Sequence, residues 1–340
     1  MRSLLRPAAG FTCLFALATA GCSAGSGGTT DAAPGPSKRT SASPSRQAAG
    51  DTSYAPYVSA TEASANDSSG SPSTYNLAFV ISDGSDCTPK WNGEDAIADT
   101  AVKSRISKLT ADGGTVRVSF GGASGKELAT TCDSVSKLTA AYATALDAAG
   151  SSQADFDIEG DELTDADTVA LRSQAIAALQ KERPDLEVSF TLPVMPSGLD
   201  SDSLALLESA NKYDVQVSTV NIMTMNYGES YAGDMGDYAL TSAKAAHTQL
   251  RKVFGLSAAG AWQGMALTSM IGVNDVAGET FTLSDAAQVR TFAEEKGVAW
   301  VSMWSTFRDQ QCAKGGGSDA ATDCSGVKQS SGAFGKAFAG

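Results

Sequence analysis

The chain has 340 residues, 38 acidic against 25 basic ones, a formal charge of −13 and a single histidine, His247. The length allows a large core or two domains. With no basic stripe to neutralise phosphates, nucleic acid is excluded as a partner, while a neutral substrate is compatible. His247 lies in Ala243-Lys244-Ala245-Ala246-His247, which reads as the exposed side of a helix. A Ser-His-Asp triad or a histidine metal site is therefore excluded, and acid–base work falls to carboxylates by elimination. No metal and no cofactor is expected.

In chain order, Arg2, Arg6 and the apolar run 11–20 come first, ending in Thr19-Ala20-Gly21-Cys22. The run is too short to span a bilayer as a permanent helix and reads as a secretory signal. Small residues followed by cysteine are similar to a bacterial lipoprotein processing site, with Cys22 carrying the lipid. Ordinary secretion with cleavage nearby is the other reading. Residues 23–50 are Ser, Gly, Thr, Ala and Pro with few charges, which cannot bury enough apolar surface to order. They read as a flexible tether. One domain is expected over 51–340. It is expected to be monomeric and exported, either extracellular or held at the outer face of the membrane by a lipid on Cys22.

From Tyr54 onward short β-rich runs alternate with helical patterns. Strands are predicted at 54–58, 75–82, 115–121, 155–159, 187–192, 218–227, 265–272 and 298–304. Val102, Ile106 and Leu109 mark one helix; Val135, Leu138, Tyr142 and Leu146 mark another. Leu171, Ala175, Ala178 and Leu179 mark a third, opened by Thr164 and stopped by Pro184. Later helices fall near 200–211, 238–254 and 283–295, and none is visible over 59–74. Strand–helix alternation implies a parallel sheet. Eight repeats fit an α/β fold, a single (β/α)8 TIM barrel, which typically takes ~250 residues. An open doubly wound sheet is the alternative, but it normally wants an early Gly-rich phosphate loop, and none is seen. In a barrel the chemistry sits at strand C-termini, where Glu159, Tyr227 and Trp304 are expected. Beyond Cys13 and Cys22 four cysteines remain, and an even number in an exported chain suggests two disulfides. Of the three possible pairings, Cys87–Cys132 and Cys312–Cys324 are expected.

Asp155-Phe156-Asp157-Ile158-Glu159 is the most informative run. Period-two alternation is a strand signature and puts three carboxylates on one face, with Phe156 and Ile158 on the other. Carboxylates that close repel, so at least one keeps its proton near neutrality. A raised carboxyl beside an ionised one is what general-acid chemistry needs. A solvated edge-strand face or a calcium ligand set are the blander readings.

Four further motifs accompany this run. From about residue 54 to 340 the chain resembles bacterial family 18 glycoside hydrolases, the chitinase-like (β/α)8 barrels. Ser119-Phe120-Gly121-Gly122 matches S-x-G-G on the third strand. Asp155 to Glu159 matches the end of D-x-x-D-x-D-x-E, and Met225-Asn226-Tyr227 matches M-x-Y on the sixth. Trp304 matches the aromatic floor of the eighth, and 270–275 looks like a seventh-strand segment of a bacterial subgroup. The first signature Asp falls on Ser152, a change expected to alter the pH profile. Asn226 stands where subgroup members often carry Asp, and Gly228 where other branches carry Asp or Asn.

The resemblance implies hydrolysis of β-1,4-linked N-acetylglucosamine polymers, with chitin leading, in which the substrate's own N-acetyl group attacks the anomeric carbon. It makes Glu159 the acid that protonates the leaving oxygen and then activates water. Asp157 orients the acetamido group, Asp155 supports Asp157 through a shared proton, and Tyr227 binds the acetamido oxygen. Trp304 stacks under the sugar. Met225, Asn226, Gly121 and Gly122 complete the substrate-binding set, with Met223 and Met225 as pocket wall. Alternatives stay open: Tyr227 as a core aromatic, Trp304 as barrel filler, the two glycines as sites of close backbone approach, and Trp91 and Trp262 as loop packing or outer sugar contacts. An enzyme acting on N-glycan cores, or a carbohydrate-binding protein without catalysis, is the rival function. Retention of Glu159 argues against the latter.

Overall fold

The computed structural model describes residues 52–313 and 321–340. The signal, Cys22 and the tether expected over 1–50 lie outside them. β1 runs in two pieces, Ser53–Tyr54 and Tyr57–Ser59. It is followed by β2 Thr74–Ser82, β3 Thr115–Gly121, β4 Gln153–Asp157, β5 Glu187–Pro193, β6 Val217–Met223, β7 Met265–Met270 and β8 Trp300–Trp304. Each pairs in parallel with the next. The first piece of β1 pairs with β8 and the second with β2. Pro56 lies between them and has no N–H to give; its carbonyl accepts from the Asn76 amide at 2.9 Å. The sheet thus returns on itself as a (β/α)8 barrel, and the open doubly wound alternative falls.

The outer layer holds α1 Thr100–Leu109, α2 Val135–Ala149, α3 Ala166–Glu182, α4 Ser201–Lys212, α5 Met235–Phe254, α6 Leu283–Lys296 and α7 Ala333–Ala339. As expected, no helix follows β1. A small antiparallel ladder, Pro89–Trp91 and Asp95–Ala96, extends β2 before α1. The predicted start of α3 is corrected. Asp165, not Thr164, is its cap, and its carboxylate accepts from the Asp167 and Thr168 amides that the first turn leaves free. Thr164 instead closes a short turn, Asp161–Thr164. No helix among the described residues is long and apolar enough to cross a membrane.

Strand alternation separates two environments. Phe120, Phe156 and Phe190 point outward and pack in a row, with Tyr142 of α2 edge-on to Phe120 and Phe156. The opposite faces of the same strands carry Ser119, Asp155, Ser189 and Thr191, all buried. The barrel interior is a layered polar network under an apolar jacket. Both expected disulfides are formed, Cys87–Cys132 and Cys312–Cys324. The first joins the segments that follow β2 and β3.

Candidate active site

β4 begins at Gln153 and ends at Asp157, so Glu159 stands two residues past it. The ladder persists one residue further, because the Ile158 amide donates to Thr191 O at 3.1 Å. Gly160, at φ +55°, then turns the chain into Asp161–Thr164.

Asp155 is 1 % exposed. Its Oδ2 accepts from Tyr57 at 3.0 Å and Ser119 at 2.7 Å, and its Oδ1 from Ser189 at 2.7 Å and Thr191 at 2.8 Å. Four hydroxyls from β1, β3 and β5 thus surround it, the arrangement that makes a buried carboxylate tolerable. The network continues from Asn221 to Thr191 at 3.0 Å and from Thr268 to Asn221 at 2.9 Å.

Asp157 is 5 % exposed, and its Oδ1 has no hydrogen-bond partner. Burial first, then the charges of Glu159 and Asp155, hold its carboxyl well above the usual range. Burial also raises Glu159. The interaction between the two carboxyls adds to the rise at Asp157 and offsets part of the rise at Glu159. Two adjacent carboxyls are thus both held above the ordinary carboxylate range.

Gly121 and Gly122 hold this pair from β3. Both have positive φ, +98° and +96°. A Cβ on Gly121 would sit 2.1 Å from Asp157 O, and one on Gly122 would sit 2.8 Å from the Phe79 ring. The Gly122 amide donates to Asp157 O at 2.8 Å. The close-approach reading of these glycines is therefore the structural one. Behind them Glu127 is buried against Arg172 at 2.8 Å and accepts from Tyr142 at 2.5 Å. Its amide donates to Glu162 at 2.8 Å, tying the turn after Glu159 to the loop after β3.

Trp304 is half-buried. It stacks on Phe79 at 5.5 Å and meets Tyr57 and Phe307 edge-on. Since Tyr57 also holds Asp155, the aromatic group adjoins the carboxylates.

The sixth-strand motif departs from expectation. β6 ends at Met223, not Tyr227. Asn226 adopts φ +53°, which breaks the two-residue alternation. Its Oδ1 accepts from the Asp275 and Val276 amides, and its Nδ2 donates to Asp275. It thus ties the end of β6 to the loop after β7. Beyond the kink, Tyr227 swings to the helix layer. Its hydroxyl accepts from Ser242 of α5 at 3.4 Å, and its ring packs against Tyr231 and Tyr238. The hydroxyl expected beside the carboxylates is instead in the core, where burial raises it above the ordinary tyrosine range. Glu279 fixes the kink by accepting from Gly228 N at 2.8 Å. Met225 is buried and Met223 half-buried at the same strand end.

Other expectations are sorted by position. Ser152 is exposed at the opposite end of β4, its carbonyl accepting from Glu187 N at 2.9 Å. It touches none of the carboxylates, so the expected route to an altered pH profile is missing. Trp91 is fully buried packing. Trp262 precedes β7 at its N-terminal end and stacks on His247 at 3.9 Å, so that histidine is half-covered rather than simply exposed. Sequence reasoning missed Tyr57, Phe79, Ser189 and Thr191. Polar residues at alternate positions of otherwise apolar strands were the available signal for the hydroxyls, since a two-sided apolar strand has no use for them.

No family model matches the chain. It is 34 % identical over 275 residues to a probable bifunctional chitinase/lysozyme of Escherichia coli, covering 75 % of this chain and 31 % of that protein. It is 32 % identical over 274 residues to endochitinase 11 of Metarhizium anisopliae, covering 75 % and 52 %. The chain thus spans about a third to a half of the curated relatives it matches. Among solved structures, active domain 2 of a thermostable Pyrococcus furiosus chitinase, a catalytic-site mutant complexed with chito-oligosaccharides, superposes with a TM-score of 0.74. The identity is 28 %, covering 85 % of this chain and 95 % of that one.

A parallel (β/α)8 barrel with paired carboxyls at the end of its fourth strand is an arrangement suited to glycoside hydrolysis. In sequence and in fold the described domain is thus similar to the catalytic domains of chitinases.

Proposed function

We propose that this domain hydrolyses β-1,4-linked N-acetylglucosamine polymers, chitin first, with the substrate's N-acetyl group as nucleophile. The observation that carries the reading is the juxtaposition of Asp157 and Glu159, both carboxyls raised by burial, beside an Asp155 held by four hydroxyls. Glu159 protonates the leaving oxygen and later deprotonates water. Asp157, with one oxygen unpartnered, turns toward the acetamido N–H and stabilises the positive charge of the cyclic intermediate. Asp155, fixed by its four hydroxyls, lies beneath Asp157 on the same strand face. Trp304, with Phe79, gives the apolar face on which a sugar ring lies. The chito-oligosaccharides complexed with the Pyrococcus furiosus domain support the same class.

The test compares N-acetylated chito-oligosaccharides with fully deacetylated ones. Cleavage of the first, resistance of the second and inhibition by a thiazoline mimic of the cyclic intermediate are expected. Efficient cleavage of deacetylated polymer would overturn the reading. We further propose export, with a lipid on Cys22, supported by the small residues before it and by the two disulfides of the domain. Wild-type protein found only in the medium with an unmodified N-terminus beyond Cys22 would remove the anchor.

A further inference from the structure

Arg117 sits on the inward face of β3, two residues before Ser119, and is 7 % exposed. Ser119 registers with Asp155 and donates to it at 2.7 Å, so Arg117 occupies the next layer down, about 7 Å along the strand. Its Nη1 donates to Asn76 Oδ1 at 2.7 Å, and its guanidinium lies 3.9 Å from the Trp300 ring centre. Among the described residues it joins no ion pair. An unpaired cation inside a barrel is expensive unless an anion answers it across a short, low-dielectric gap.

The groups facing it from each neighbouring strand can be weighed. β2 offers neutral Asn76 and β8 the Trp300 ring. β1 offers Tyr57, whose hydroxyl is held neutral by burial and the adjacent aspartates. β5 offers Glu187, which is exposed and therefore screened. β4 offers Asp155, buried. We propose that Arg117 is a positioning residue for hydrolysis: it is the internal counter-charge of Asp155, keeping one negative charge at the base of the carboxylate triad while the proton moves between Asp157 and Glu159. This rests on the reading of the carboxylates given above.

Without the cation, the triad takes up an extra proton more readily, and Asp157 loses the anion that steadies it. Arg117→Met should therefore move the acid limb of kcat/KM on a chromogenic chito-oligosaccharide to higher pH by about one unit. Arg117→Lys, which keeps the charge, should restore it. Asn76→Asp, nearly isosteric, places a competing carboxylate on the guanidinium and should shift the limb the same way. It decides the matter if Arg117→Met does not fold. An unmoved limb in the folded Met or Asp variant, or an equal shift in the Lys variant, overturns the assignment. Glu159→Gln run alongside separates the two failures. If it is inactive while the limb stays put, only the role of Arg117 falls. If it turns over like the wild type, the carboxylate reading falls, and the counter-charge with it.

Discussion

Two strand ends that look equally motif-bearing in sequence do different things in space. At the end of β4 the backbone stays extended through Asp157, and the pleat sends Asp155 and Asp157 to one side. At the end of β6 a single left-handed residue, Asn226, interrupts the pleat and sends Tyr227 the other way. A period-two pattern is a reliable guide to side-chain direction only as far as every residue in it keeps extended φ and ψ.

The largest expected effect tests the β4 end. Glu159→Gln keeps size and polarity but cannot donate, so activity on chito-oligosaccharides should fall by ~10²–10⁴-fold with the fold retained by circular dichroism. Gly121→Ala comes next. Its Cβ would meet Asp157 O at 2.1 Å in a backbone region that disfavours side chains, so both activity and melting temperature should drop. The loss should be about 2–4 kcal/mol in urea unfolding, in the range of backbone-strain changes. A neutral Gly121→Ala would mean that the contact between β3 and β4 is looser than drawn.

Asp157→Asn sharpens the comparison from the side of stability. Asp157 binds its proton more tightly folded than unfolded. That preference favours the fold below the unfolded carboxyl range and is lost as pH rises through the folded one. The amide should therefore be more stable than the wild type by about 1 kcal/mol at pH 8, and no more stable at pH 3, while losing activity. Equal stability at both pH values would deny the buried repulsion.

The smallest effect tests the β6 end. Tyr227→Phe removes only a hydroxyl that meets Ser242, so turnover should stay within about twofold and stability within ~1 kcal/mol. A fall comparable to Glu159→Gln would show that the kinked loop rearranges around substrate and would dissolve the contrast.

The barrel and the acidic trio were legible because both rest on periodicity, which is a local property. Strand count, helix positions and the inward face of β4 follow from spacing alone. Strand ends were less legible. The stop at Met223 depends on Asn226 taking positive φ, and that conformation is imposed by bonds to Asp275 and Val276, some fifty positions away. The hydroxyl cage of Asp155 was hidden for the same reason. Tyr57, Ser119, Ser189 and Thr191 come from three strands, and nothing in any one strand announces a shared partner. Ser152 misled by motif alignment, since its distance from the carboxylates is a matter of which end of a strand it occupies.

The split first strand has a bearing on how the molecule comes to be. Ser53–Tyr54 finds its partner only in Trp300–Val301, almost the whole domain later in the chain. Such a non-local pairing is slow to form and leaves an edge open meanwhile. Tyr57, three residues on, is also one of the hydroxyls on Asp155. Tyr57 itself sits in the second piece, which pairs with the early β2, so only the Ser53–Tyr54 piece must wait for the eighth strand. That strand also brings Trp304 against Tyr57, so a growing chain lacks the aromatic side of its site until its final strand has been made.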